Sequence, residues 1–590
     1  LVLVVGSGAR LRQDFDLKGA FPFEDQVGER LSDGRWTPSS ARIETGVFAV
    51  RETRVAATMS RDLRGPASTV LSLDTAGAQS ESRTVGSNAE TLTATGRGDL
   101  AVTVQVQPAR RVGVRLHSLT VTPAGPLTLL PSAASAFKAA VATALLAFFF
   151  SVLTLRPATA SIAAVTLFAT PVCLLGRDNP AVTLHLIEAL WLAAPLLVGG
   201  VLAVRSLVGE AAAFLAAGVS LFRLLLLFHP AWYFADIEIH ANVARALRDE
   251  GRLQGWIHMD ELQERFDLGR ASVTGTMRPL PYPPLFHTLA SSAPDRLIVP
   301  FMKFLGAAIT AMTLLLTVAL ARRLIEDESA SLIAAVLLAL LPFEIQEFLR
   351  VSLPALLGRA VDLGVLLLLI GPRNSDRVPR LRVALALATA CLTYNAAPVH
   401  FALFLPLAFA ALLVKPARPG DAADLFAATG LSALLALLYY GRYIADMFHN
   451  VLAASHAPTV PVPDPARFVM SLIELHGPVV VAALAAAPLV IAGSWRERSS
   501  RVALAWTLYV PAIAWTTQIF KEPFAYFRPY FFVYPLFCIL AAWWFRRPRF
   551  TARLVLAAIL LWELAFAANA VPGVFVTHSG RWGDWTSLTR

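Results

Sequence analysis

The sequence predicts an α-helical polytopic membrane protein of the multi-span kind, with an all-β sandwich domain at its N-terminal end. Three observations lead there. Hydrophobic residues make up 56% of the 590 and charged residues only 16%, giving a mean hydropathy of +0.59 that a soluble chain of this length would not carry. The apolar content is unevenly placed: residues 7–130 contain no run of spanning length, while 136–570 contain little else. From about Arg42 to Pro123 the pattern alternates with a period of two, as in Leu100–Val106 and Arg111–Thr122, which is the mark of half-buried strands.

Taken in chain order, residues 1–6 (Leu-Val-Leu-Val-Val-Gly) read as the tail of a signal or anchor helix, too short to span alone. Residues 7–130 form the β domain. It suits either a spacer or a glycan-binding module, although no aromatic platform marks it for sugar. Four apolar segments follow within 136–228, at 136–155, 159–176, 183–204 and 211–228. A polar loop occupies 229–296. About ten more segments fill 297–570, bringing the total to about fourteen, and 571–590 is a polar tail.

The formal net charge of +10 does not indicate nucleic acid, because many of the arginines sit in short loops between apolar segments. Those loops, holding Arg156, Arg205, Arg322/Arg323, Arg380/Arg382, Lys415/Arg418, Arg496/Arg498/Arg501 and Arg546/Arg547, fall on one side by alternation. The positive-inside rule makes that side cytoplasmic. The β domain, the 229–296 loop and the C-terminal tail then face outward. Many Ala, Leu and Arg with few Lys suggest a GC-rich bacterial genome, so the expected location is a bacterial cytoplasmic membrane. Cys173, Cys391 and Cys538 all lie in apolar segments and cannot staple the β domain.

The chemistry concentrates in the 229–296 loop. It opens on Trp232-Tyr233-Phe234-Ala235-Asp236-Ile237-Glu238 and continues as an amphipathic helix lying along the membrane surface, with Ile239, Val243 and Leu247 on one stripe, ended by Gly251. It closes on Pro281-Tyr282-Pro283-Pro284-Leu285-Phe286-His287, whose prolines hold the chain extended. A carboxylate beside a low-dielectric membrane has its pKa pushed up, towards the range of a general base. Asp236 also suits a helix N-cap, although Ile239 three positions on leaves no capping box.

This order of elements, with Asp-x-Glu at the start and Tyr-Pro-Pro-Leu at the foot of the next segment, resembles the first outer loop of GT-C glycosyltransferases of the protein-mannosyltransferase and aminoarabinose-transferase kind. Here a β domain and three extra segments precede it. The resemblance implies transfer of a sugar from a polyprenyl-phosphate donor to a glycan, lipid or protein acceptor at the outer face. Asp236 is then the base, with Glu238 positioning the acceptor or, together with Asp236, holding a divalent cation (Mg or Mn). Candidate substrate- and phosphate-binding residues are His240, Tyr282, His287, Arg350, His400, Arg442, His449, Lys521 and Arg528, the last two in an aromatic run suited to gripping a phosphate or to snorkelling.

Charges within apolar segments supply a second set of expectations. Glu188 is expected to pair with Arg223, and Arg359 with Asp362, while Glu563 has no evident partner. Intramembrane acids also suit a transporter or flippase of a lipid-linked glycan, and a non-catalytic scaffold displaying the β domain is a third reading.

Overall fold

The computed structural model describes most of the chain between 13 and 565. Residues 1–12, 17–29, 61–66, 74–80, 108–114, 123–128, 153–155, 165–185, 229–235, 266–281, 372–377, 415–418, 450–476, 494–496, 521–531, 547–552 and 566–590, with a few positions between these, lie outside the described set.

The period-two region forms strands β1 (Gln13–Asp16), β2 (Arg30–Leu31), β3 (Gly34–Trp36), β4 (Ser40–Ser60), β5 (Ala67–Leu73), β6 (Glu81–Val85), β7 (Glu90–Gln107), β8 (Arg115–Thr122) and β9 (Leu129–Pro131). The expectation was two packed sheets. The described strands instead join into one antiparallel sheet, ordered β2-β3-β8-β4-β7-β5-β6, with β1 added on β8 and β9 on β4. The physical reason is the length of β4 and β7. Their register shifts between Glu44 and Phe48 and again between Ala49 and Thr53, and such irregularities bend a strand so that its two halves meet different partners. Gly98, opposite Ala49 at this point, has φ +101°, a conformation open to glycine and strained for other residues. Val55, Ala57, Met59, Leu71, Leu92, Ala94, Val102 and Val104 are buried, at the alternate positions that the sequence pattern marks.

Beyond the sheet the chain is helical. The first group is α1 (Ala133–Ser151), α2 (Pro157–Ala164), α3 (Ala193–Ala203) and α4 (Glu210–Phe228). Short loop helices follow: α5 (Asp236–Asp249), α6 (Arg252–Ile257), α7 (Met259–Arg265) and α8 (Leu285–Ala290). Next come α9 (Ile298–Leu324), α10 (Glu328–Leu340), α11 (Pro342–Leu349), α12 (Leu353–Ile370) and α13 (Arg380–Thr393). The last group is α14 (Ala397–Leu413), α15 (Pro419–Tyr440), α16 (Pro478–Gly493), α17 (Arg498–Phe520) and α18 (Tyr534–Ala542).

Among the described residues, five helical stretches are long and apolar enough to cross a membrane: Ala133–Ser151, Glu210–Phe228, Ile298–Leu324, Leu353–Ile370 and Gly420–Asp446. Five shorter apolar helices accompany them, including Ala193–Ala203 and Glu328–Leu340. This is consistent with a helical membrane protein.

The helix α9 is the hub, packing on α4, α10 and α12. Close approach comes from small residues. A Cβ on Gly306 of α9 would fall 2.7 Å from Leu353 Cδ2, and one on Gly358 of α12 would strike Tyr394. Thr310, Thr313 and Thr317 return their hydroxyls to the carbonyls of Gly306, Ile309 and Thr313, so an apolar helix carries these groups without unpaired donors. Asp327 caps α10, accepting from the Ala330 N–H at 2.7 Å.

Buried charges bind the hub together, and their pairing departs from the sequence expectation. Arg223 of α4 donates to Glu344 of α11 at 3.3 Å and to the Ala339 carbonyl at 3.1 Å. Its guanidinium lies 5.1 Å from the centre of the Phe348 ring. Arg359 of α12 grips the same carboxylate with both terminal nitrogens, one at 2.6 Å. Arg223 therefore pairs with Glu344, and Glu188 lies outside the described residues. Asp362 pairs with His400 of α14 at 3.2 Å. The helix α11 turns inward and delivers the acid that meets both Arg223 and Arg359.

Removing one member of a buried ion network strands the others, at a cost of about 3–5 kcal/mol. Glu344→Ala is accordingly expected to lower the thermal midpoint of the purified protein in detergent markedly. A midpoint within error of the wild type would show that the triad is not structural.

Candidate functional site

The loop helices fold back as a compact cap on one end of the bundle. Two faces of α5 are buried. Ile237, Ala241 and Ala244 enter a cluster with Phe286 of α8 and with Ile298 and Met302 of α9, while Val243, Ala246 and Leu247 pack with Met259 and Leu262 of α7. The stripe Ile239-Val243-Leu247 expected to lie on a membrane surface is thus largely turned against protein. Gly251, with φ +86°, ends α5, its N–H donating to the Arg248 carbonyl at 3.3 Å.

Asp236 is the first residue of α5 and Glu238 the third, so both occupy the first turn, where the positive end of the helix dipole favours carboxylates. Helical spacing then separates them. Position 236 shares a face with His240, one turn on, whereas 238 lies about 200° around the axis from 236. Among the described residues no cluster of three or more metal-ligating side chains occurs.

His240 is buried and meets the buried His287 of α8, Nδ1 to Nε2, at 2.9 Å. The Tyr282 ring lies 6.0 Å from His240 and 5.6 Å from His287, and Phe286 closes the cluster at 5.9 Å from His240. Three residues named from sequence are thus brought together: His240, Tyr282 and His287. The Tyr-Pro-Pro turn accounts for this, since it places α8 across α5 and fixes Tyr282 at the joint. His287 Nδ1 lies towards the Pro283 carbonyl without closing a full hydrogen bond. Burial first, and the neighbouring His240 ring second, hold the His287 imidazole well below its usual 6.5. It is neutral at physiological pH, and the pair shares one proton between facing nitrogens.

The cap is tied to α15 by contacts that the sequence did not reveal. Tyr439 donates to the Tyr282 carbonyl at 3.0 Å. Arg442 donates to Asp260 at 2.8 Å, and the Tyr443 hydroxyl donates to the same carboxylate oxygen at 3.0 Å. Trp256 donates to Thr288 at 2.7 Å and sets its ring edge-on to Tyr439. Arg248 closes the cap on Asp295 and on the Ala293 carbonyl. The only sequence signal for these was the density of Tyr and Arg at 439–443, which indicates a helix end and not a partner.

The remaining candidates are dispersed. Arg442 is engaged by Asp260. Arg350 lies 3.8 Å from Glu347, whose carboxylate also accepts from Ser352 at 2.7 Å. His400 is buried against Asp362 and stacked on Phe532, with ring centres 5.4 Å apart, inside the bundle and not at its mouth. His449 is exposed. Lys521 and Arg528 lie outside the described residues, as do the side chains of Asp236 and Glu238.

At the opposite end of the bundle the arginines of the cation-rich loops gather. Arg498 donates to the Ile370 carbonyl at 3.2 Å and to Asp421 at 3.1 Å. Arg380 pairs with Asp424, Arg501 donates to the Val414 carbonyl at 2.6 Å, and Arg322 pairs with Glu328. Cations placed at helix C-terminal carbonyls are favoured by the dipole, so this collar has a structural role beside any topological one.

No protein-family model matches the chain, and no curated protein matches its sequence.

The titration of His287 yields a test of the docked cap. Its folded value is depressed, so below about pH 6.5 an undocked loop binds a proton that the docked form resists, and docking weakens as pH falls. Hydrogen-exchange protection across α5 and α8 is expected to drop between about pH 7 and pH 5, and His287→Gln to flatten that drop. Protection independent of pH in the wild type would remove His287 as a determinant of docking.

Proposed function

We propose that the chain is a membrane glycosyltransferase. It moves a sugar from a polyprenyl-phosphate-linked donor to a glycan, lipid or protein acceptor at the end of the bundle covered by the cap, read as the outer face of a bacterial cytoplasmic membrane. The observation carrying this reading is the place of Asp236 in the first turn of α5. It stands one helical turn before His240, on the face that leads to the buried His240–His287 pair and the Tyr282 turn.

In this reading Asp236 takes the proton of the acceptor hydroxyl as that oxygen bonds to the anomeric carbon. The bond from that carbon to the phosphate oxygen breaks, and its electron pair leaves with the polyprenyl phosphate. Glu238, on a different face of α5, orients the acceptor, and no step is assigned to a metal. His287, hydrogen-bonded to His240, keeps a polar wall behind the base. Lys521 and Arg528 are the candidates for the departing phosphate, since Arg442 is engaged with Asp260.

Asp236→Asn removes the charge while keeping the shape of the side chain at the first position of α5. In membranes supplied with labelled polyprenyl-phosphate sugars, Asp236→Asn is expected to lower transfer by about 10²-fold or more with normal insertion, and Glu238→Gln to act more weakly. Wild-type rates in both variants, or no transfer by the wild type from any such donor, would sink the proposal.

One observation favours a second reading, transport of a lipid-linked glycan. Both carboxylate oxygens of Glu563 are buried with no hydrogen-bond partner among the described residues, as an intramembrane proton carrier requires. For a transporter, Glu563→Gln would abolish glycan movement in vesicles. For the transferase it leaves sugar transfer from an added donor intact.

A further inference from the structure

Away from the cap, a groove of about 1170 Å³ runs between α3, α9 and α12. Its lining along α9 extends from Phe304 to Arg323, about 28 Å at the rise of an α-helix. Small residues hollow it: Gly200 of α3 and Ala308, Ala311 and Ala319 of α9 line the space. A Cβ built on Gly200 meets nothing within 4 Å. Leu196 and Leu207, on the α3 side of the lining, are 62% and 80% exposed.

The lining is polar at one end only, where Arg322, Arg323 and Arg382 meet. Arg322 is committed to Glu328. Arg323 and Arg382 are exposed, and no acid among the described residues pairs with either.

We propose that this groove binds an anionic glycerophospholipid, its acyl chains laid along α9 and its phosphate held by Arg323 and Arg382. A sugar or peptide needs hydrogen-bond partners along its length, and the apolar lining offers no polar side chain between Phe304 and Ala319. An amphiphile with a single charged end is what the lining complements. Basic pockets between membrane helices recognise phosphate headgroups in this way, and guanidinium grips phosphate through paired donors. The length exceeds the roughly 15 Å hydrocarbon depth of one leaflet, so whole chains are accommodated. The arginine end lies about 36 Å along α9 from Ile298, at the far end from the cap. A lipid seated here is therefore a structural companion of the bundle and not the sugar carrier of the proposed reaction. The assignment is independent of what the cap does.

The test uses the full purified chain in detergent, incubated with phosphatidylglycerol or with phosphatidylcholine of the same acyl chains, and bound lipid is read by native mass spectrometry. Phosphatidylglycerol is expected to be retained more tightly, by a factor on the order of ten. Arg323→Gln combined with Arg382→Gln should bring that retention to the phosphatidylcholine level. Gly200→Leu, which fills the groove where nothing stands in its way, should lose both lipids at unchanged thermal stability. Equal retention of the two lipids, or phosphatidylglycerol retention unchanged in both variants, would overturn the proposal. So would preferential displacement of phosphatidylglycerol by a polyprenyl monophosphate, which would reassign the groove to the carrier.

Discussion

The rest of the structure depends on one buried carboxylate. Glu344 receives Arg223 from α4 and Arg359 from α12, and Arg223 reaches on to the Ala339 carbonyl at the end of α10. Desolvating three charges is expensive, and their mutual attraction offsets this only if the geometry is kept. That condition fixes the short helix α11, which must turn inward after Pro342 to present its acid. It also fixes where α4 and α12 stand around α9. Hydrophobic contact alone is a poor arbiter of helix register when the surroundings are equally apolar. The ion triad supplies the missing specificity.

The cap shows how a polar loop acquires shape beside a bundle. The helix α5 buries one face on α8 and α9 and another on α7, so it has protein on two sides where the amphipathic pattern implied lipid on one. What positions the cap is a set of directional contacts: Tyr439 to the Tyr282 carbonyl, Trp256 to Thr288, and Asp260 held by Arg442 and Tyr443. The exposed ion pairs among these contribute little singly. The half-buried hydrogen bonds of Tyr439 and Trp256 are less screened by solvent and contribute more.

Much of this was legible in the chain. The boundary between strands and helices, the core positions of β4 and β7, the start of α5 near Asp236 and its end at Gly251 all follow from local pattern. His240, Tyr282 and His287 were named only as candidate binding residues, and their mutual contact came from the structure. Long-range polar pairing was not legible. Arg223 was expected beside Glu188 and Arg359 beside Asp362, because sequence proximity is the only guide when partners in space are unknown. Glu344 and Glu347, two acids beside an apolar segment, were the overlooked sign of a helix that turns inward. The one-sheet β region was likewise hidden, since a register shift between Ala49 and Thr53 leaves no mark on the alternation that reveals the strands.

The attachment of the cap to α15 has a mechanical consequence. The cap is fastened at one side by covalent continuity, α8 running through Asp295 into α9, and at the other by Tyr439, Arg442 and Tyr443. It therefore works as a strut between two helices that belong to different parts of the bundle. If α15 slides relative to α9, the strut cannot follow both, and the strain falls on the Tyr282–Pro284 joint between its two anchorages. That joint carries the wall of the histidine pair. Sliding α15 against α9 would therefore bear on the Tyr282–Pro284 joint, where the prolines restrict the backbone.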